Sequence, residues 1–164
     1  MDVLLSIKPK YVDAILNGEK KYEFRKIIFK NKNIDNVYIY SSAPIKRIVG
    51  SFTARNIICD RPENLWEKFR DHSGLSDKEF FKYFGKRQTG FAIEIGIIKK
   101  FENPIDPKET IPGFMPPLSF YYIYSNLETK EGNVIMQKEG PIFYKTCLEV
   151  SDGLSHQEHI SKYF

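Results

Sequence analysis

Residues 6–26 read SIKPKYVDAILNGEKKYEFRK, and this stretch organises the chain. Pro9 suits the first turn of a helix, where its missing N–H has no intrahelical partner and its φ is preset. Tyr11, Ala14 and Ile15 recur at helical spacing, as do Val12, Ile15 and Leu16, so the spacing predicts a helix over about 9–17 with one broad apolar face. Asn17-Gly18 is a stop, because Gly18 takes a left-handed conformation after the last turn. From Lys20 to Lys26 the period changes to two. Tyr22 and Phe24 point one way, and Lys21, Glu23 and Arg25 the other. One face of this strand can pack into a core, while the other carries three charges side by side. In a regular strand Lys20 faces away from Glu23, so Lys20 has to sit in the turn after Gly18 if both serve one site.

Working outward, residues 2–7 alternate as a first strand, and Val37–Ser41 and Arg47–Ile58 are further strands. Gly50 inside the second of these marks a bulge, a corner or a close backbone approach. Pro62 opens a helix holding Leu65, Trp66 and Phe69. Ser76-Asp77-Lys78-Glu79 has the form of a capping box and leads into Phe80, Phe81, Tyr83 and Phe84, with Gly85 as the stop. Thr89–Lys99 reads as a strand with Phe91, Ile93, Ile95 and Ile97 on one side. Residues 103–117 read as an extended connection. Leu118–Tyr124, Val134–Gln137 and Ile142–Tyr144 read as short strands. Strands with helices inserted between them suggest a small, largely closed β-barrel, since closure removes exposed edges.

The motif Gly18-x-Lys20-x-x-Glu23-x-Arg25 resembles the G-x-K-x-x-E-x-R motif of ASCH domains, a branch of the PUA-like superfamily. The lead-in SIKPKYVDAILNG also fits that family, as do residues 37–44, 48–52, 62–66, 83–85 and 117–120, in the family order. The resemblance covers roughly residues 1–123 and is nearest to small PUA-like proteins described as predicted transcriptional regulators. It implies an α+β fold, a PUA-like, mostly β pseudobarrel of about five to six strands with inserted short helices. Residues 1–124 would form the ASCH domain, and 125–164 a partly β extension outside the resemblance.

Composition narrows the function classes. At 164 residues, 41% hydrophobic and 15% aromatic, the chain can bury a real core. No run approaches the roughly 20 apolar residues of a membrane span, and no signal peptide is visible at the start. Residues 1–50 carry ten Lys/Arg against five Asp/Glu, while the rest carries fifteen against sixteen. A basic half joined to a near-neutral half suits an anionic partner, although lysines also simply solubilise surfaces. The lone cysteines, Cys59 and Cys147, lack metal-ligand spacing and read as free thiols of a cytoplasmic protein. No metal site is expected, because His72, His156 and His159 join no ligand cluster. No P-loop, G-x-G-x-x-G or G-x-S-x-G is present, and no cofactor is implied.

The candidate site centres on Lys20, Lys21, Glu23 and Arg25. Two cations beside a carboxylate can bind an anion, and a guanidinium can grip a phosphate with two parallel bonds. The plain alternative is a solvated strand face with a local ion pair; the resemblance favours the site, because these positions line the family's cleft. Tyr40, Ser41 and Ser42 lie at a strand end, with Lys46 close behind, and offer hydroxyls and charge to a phosphate or base. Trp66 and Tyr83 are aromatics with polar handles that could stack on a base, and Phe120 would close a cleft wall. The expected function is nucleic-acid binding, RNA before DNA, with a nucleotide or base held in a basic cleft and a regulatory role in transcription or translation, directly or through a protein partner. The alternative is a small hydrolase in which Lys20 and Glu23 are catalytic. The resemblance includes ribonucleases and acylcytidine amidohydrolases, but Glu23 stands where the amidohydrolases carry threonine. A third class is a domain that holds a nucleotide-like metabolite.

Overall fold

The computed structural model describes residues 1–31, 33–126 and 135–139. It is an α+β fold built on one curled sheet, a half-barrel with short helices at its ends. The order of elements is β1 (Asp2–Ile7), α1 (Pro9–Leu16), β2 (Tyr22–Arg25), β3 (Val37–Ser41), β4 (Arg47–Asp60), α2 (Pro62–Phe69), a single 3₁₀ turn (Arg70–His72), α3 (Asp77–Phe84), β5 (Gly90–Ile105), α4 (Pro107–Thr110), β6 (Phe120–Asn126) and β7 (Ile135–Glu139). The strands run β2-β5-β4-β3-β1-β6-β7 across the sheet. All neighbours are antiparallel except β1 and β3, which run parallel because α1 and β2 form the crossover between them. Six strands fall within residues 1–126, and β7 adds a seventh by pairing with β6. The expected strand at 142–144, His156, His159 and Cys147 lie outside the described residues.

β1 is apolar on successive residues because both its faces are covered. Val3, Leu5 and Ile7 meet Val12 and Ile15 of α1 in the main core, with Ile39, Phe52 and Ile93. Leu4 faces the other way, into a cluster with Tyr38, Tyr40, Ile48 and Tyr121. The third cluster joins α2 and α3 to the outer strands through Phe24, Leu65, Phe80, Phe84 and Ala92. Tyr22 stacks on Phe69 with ring centres 4.2 Å apart, and Phe24 meets Phe80 edge-on at 5.0 Å. The apolar face of β2 thus fastens the helical insert to the sheet and leaves Glu23 and Arg25 on the opposite face.

Three local readings changed. Ile97 does not join Phe91, Ile93 and Ile95 in the core and is 73% exposed. β4 and β5 slip register between Phe52 and Asn56, so the alternation changes parity and Ile98, opposite Phe52, packs on the core instead. Gly96 permits the slip, since a Cβ there would lie 2.4 Å from Thr53 Oγ1. Secondly, the stretch from 103 is not all extended connection. β5 continues to Ile105, and Asp106 accepts a bond from the Lys108 amide to cap α4. Pro104 is tolerated because β2 pairs only with residues 91–94 of β5, leaving the outer edge beyond uncovered. Thirdly, among the described residues no cysteine is free, so the free-thiol expectation fails for Cys59; sequence separation carries no information on which groups a fold brings together.

Gly50 marks both a register slip and a close approach, because a Cβ there would lie 2.6 Å from the Lys99 carbonyl oxygen. No helix among the described residues is long and apolar enough to cross a membrane.

Candidate functional site

The turn after α1 places the first side chain of the candidate site. Gly18 has φ +82°, and the chain folds back so that the Lys20 amide donates to the Ala14 carbonyl at 2.8 Å. Lys20 is therefore in the turn, off the strand alternation, and its side chain lies on the Glu23 side of β2. It is 1% exposed. Its Nζ donates to the Ser73 carbonyl at 2.6 Å and stands 3.5 Å from Glu23 Oε2 and 5.1 Å from the centre of the Phe24 ring. Gly74, with φ +66°, makes room: a Cβ at that position would meet Lys20 Cβ at 3.1 Å. Burial lowers the Lys20 pKa below 10.5; the Glu23 carboxylate opposes the shift, and the Arg25 charge adds to it.

Arg25, the last residue of β2, spans the seam where the curled sheet approaches itself. Its Nη1 donates to the Ser6 carbonyl at 3.2 Å, and its Nη2 donates to the Ser119 carbonyl at 3.0 Å and to Ser119 Oγ at 2.9 Å. Glu23 Oε1 lies 3.5 Å from Nη1. One guanidinium thus ties β2 to the end of β1 and the start of β6, and both terminal nitrogens are occupied by the fold. Its Nε is buried without a hydrogen-bond partner. Glu23, 6% exposed, sits between the two cations with neither distance short enough to exhaust its lone pairs.

These three residues form the floor of a cleft of about 510 Å³. Tyr11, Tyr83, Ile7 and Leu75 contribute to its walls, and Lys8, Lys26, Lys82 and Glu79 complete the mouth. Tyr83 Oη accepts a bond from the Lys26 amide at 3.3 Å, and the Lys26 ammonium lies 4.9 Å from the centre of the Tyr83 ring. Burial raises the pKa of both phenols, Tyr11 and Tyr83, so each keeps its proton at neutral pH. Glu79 joins the two sides of the cleft. Its Oε1 is 2.5 Å from Lys10 Nζ and accepts from Tyr11 Oη at 3.3 Å, while its Oε2 closes the capping box with Ser76. The Lys10 bond and the Ser76 bonds hold its carboxyl down at about 2.

Of the residues singled out in the sequence, Lys20, Glu23, Arg25 and Tyr83 come together in this cleft. Lys21 is exposed beside it, and its amide donates to the His72 carbonyl. Phe120 lies in the core against Phe29 and Tyr122, while its neighbour Ser119 supplies the contact to Arg25. Tyr40 is buried beside Phe114, and Ser41 lines a different cavity of about 420 Å³ between α1 and β5. Ser42 donates its amide to the Ile7 carbonyl in the turn, where Lys46 has φ +54° and is exposed. Trp66 packs on Phe80 at 4.7 Å. None of Tyr40, Ser41, Ser42, Lys46 and Trp66 lines the cleft. The sequence reading missed Lys8, Tyr11, Lys26, Glu79 and Lys82. Tyr11 was absorbed into the apolar helix pattern and Glu79 into the capping box; Lys26 directly follows the motif and was the one visible signal.

Comparison with known proteins supports the fold and the family. A curated relative from Zymomonas mobilis, named ASCH domain-containing ribonuclease, is 25% identical over 128 residues, covering 74% of this chain and 84% of the relative. The crystal structure of ASCH from Zymomonas mobilis superposes with a TM-score of 0.68 at 25% identity, over 73% of this chain and 85% of that one. A 108-residue stretch is 27% identical to part of large ribosomal subunit protein uL22 of Ureaplasma parvum, 65% of this chain but 34% of that protein. Residues 1–114 match the family described as Domain of unknown function (DUF365). With its glycine-lysine-glutamate-arginine motif at the floor of a half-barrel cleft, the chain belongs to the DUF365 family and is an ASCH domain protein of the PUA-like superfamily.

Proposed function

We propose that this protein binds single-stranded RNA, seating one nucleotide in the cleft over Lys20, Glu23 and Arg25. The observation that carries the reading is the buried ion cluster at the floor, open to a mouth edged by Lys8, Lys26 and Lys82. The lysines meet phosphate, the ring of Tyr83 or Tyr11 offers a stacking face, and the Glu23 lone pairs accept from the donors of a base edge. Such binding would serve regulation of transcription or translation.

A second reading, cleavage of the bound strand, is favoured by the depressed pKa of Lys20 and by the ribonuclease name of the Zymomonas relative. A buried lysine releases its proton more readily than a free one, which suits it to take the proton of a ribose 2′-hydroxyl as that oxygen attacks the adjacent phosphorus. The 5′-oxygen then leaves and takes a proton from a donor such as a cleft phenol, giving a 2′,3′-cyclic phosphate and a 5′-hydroxyl end.

Labelled single-stranded RNA, titrated at two salt concentrations and run on a gel, tests both readings. Lys20→Ala and Glu23→Gln run alongside, with tryptophan fluorescence as the check of folding. Salt-sensitive binding that weakens in both variants, with the RNA intact, establishes binding alone. Shortened RNA from the wild type and not from Lys20→Ala establishes cleavage. Folded wild-type protein that neither binds nor cuts RNA refutes both.

A further inference from the structure

Among the described residues some cations are ion-paired and others, Lys99 and Lys100 of β5 included, are not. Lys10 is paired with Glu79, Arg47 with Asp106, Lys68 with Asp60 and Arg70 with Asp71. By contrast, among the described residues no carboxylate stands within ion-pair distance of Lys26, Lys82, Arg87 or Arg61, and contacts join most of these four into a line. Lys26, Lys82 and Tyr83 all line the cleft. The Lys26 ammonium lies over the Tyr83 ring, and Arg87 Nη1 donates to the Lys26 carbonyl at 3.4 Å. Arg61 Nη2 donates to Gln88 Oε1 at 3.3 Å, on the residue next to Arg87. Arg61 and Arg87 are exposed. The α1 side of the mouth is different: Glu79 neutralises Lys10 there, leaving Lys8 alone.

We propose that the strand flanking the seated nucleotide leaves the cleft on the Tyr83 side, its phosphates running over Lys82, Lys26, Arg87 and Arg61. This rests on the RNA reading above and extends it from a one-nucleotide cleft to an oriented path. An unpaired cation keeps all its donors for a ligand and needs no carboxylate displaced from it. A row of such cations at a cleft mouth is the arrangement that tracks a polyanionic backbone, with an aromatic ring beside it for the adjoining base. Its asymmetry assigns a side to the exit. The cleft floor reads the nucleotide, and the track supplies sequence-independent affinity and salt dependence.

The test is the salt dependence of binding, by fluorescence anisotropy with an end-labelled, mixed-sequence RNA dodecamer. It compares the wild type with the double variant Arg61→Gln, Arg87→Gln. A second double variant, Lys99→Gln, Lys100→Gln, removes two exposed charges from β5 outside the cleft lining and controls for net charge. Each lost phosphate contact lowers the log–log salt slope for a single strand by about 0.7, so the track variant should lose about 1.4. Between about 50 and 200 mM salt the wild type should then lose about sevenfold more affinity than the track variant, and the β5 variant should follow the wild type. A track variant with the wild-type slope overturns the path while leaving the cleft reading standing. So does an equal loss in the β5 variant, which would reduce the effect to net charge. Wild-type protein that binds no dodecamer overturns the RNA reading itself.

Discussion

Replacing Lys20 by methionine probes the floor of the cleft most directly, because an unbranched side chain of similar bulk remains while the charge and its hydrogen-bond donors are lost. Lys20 is 1% exposed, and burial lowers its pKa below 10.5. The unfolded chain therefore holds a proton on this residue over a pH range in which the folded chain has released it. Stability rises with pH wherever the unfolded state binds more protons, so the wild type gains up to about 1.4 kcal/mol per pH unit across that window. The penalty of burying the ammonium is present in full below the folded pKa and is gone above the unfolded one. At neutral pH two effects oppose each other in Lys20→Met. Losing the 2.6 Å bond to the Ser73 carbonyl costs about 1.5–3 kcal/mol and takes one cation from beside the buried Glu23 carboxylate, while removing the desolvated ammonium offsets part of that cost. The diagnostic is the slope of the stability difference with pH, not its value at pH 7. Urea denaturation followed by the fluorescence of Trp66, the single tryptophan, measures it from neutral pH to 10.5. Tyr11 and Tyr83 titrate in both proteins and largely cancel in the difference. The wild type should gain on Lys20→Met steadily as the pH climbs. A difference that stays flat up to pH 10.5 would refute the buried, proton-releasing lysine and with it the base proposed for cleavage.

Three further outcomes follow from the same geometry. Gly74→Ala forces a side chain onto φ +66° and against Lys20 Cβ at 3.1 Å, so it should lower stability by about 1–2 kcal/mol and weaken RNA binding in parallel, measured by denaturation and anisotropy. Arg25→Lys keeps the charge but cannot reach Ser6 and Ser119 together; losing two charge-assisted bonds at the seam should cost about 3 kcal/mol in urea denaturation. Glu79 has its carboxyl held near 2 against an ordinary 4.5, so its contribution is present above pH 4.5 and lost as the pH falls towards 2. Thermal melts of wild type and Glu79→Gln should differ at pH 6 and converge near about pH 2, where the carboxylate is protonated.

Much of the fold could be read from local pattern. Pro9, the helical apolar spacing and Asn17-Gly18 fixed the first helix, Ser76 and Glu79 fixed the start of α3, and the period-two run Tyr22–Arg25 fixed a strand with one charged face. These are signals within one element, where backbone sterics and hydrogen bonding act between near neighbours. The motif carried the site as far as Lys20, Glu23 and Arg25, because all three come from one turn and one strand. Ile97 was misplaced because a register slip between two long strands depends on the partner strand as much as on its own alternation. Tyr11, Glu79 and Lys82 were missed for a related reason. Each lies on a helix whose pattern has a sufficient local explanation, and only the packing of α1 and α3 on β2 turns them into one cleft.

Arg25 shows the division most clearly. The sequence by itself determined that a guanidinium would stand on the charged face of β2, two residues from a carboxylate. The tertiary structure alone decided that Ser6 and Ser119 would meet it across the seam, committing its terminal nitrogens to the fold. Alternation along a strand is set by the geometry of one chain segment. What that face meets depends on how a twisted sheet curls, and curling sums the packing of residues more than ninety positions apart.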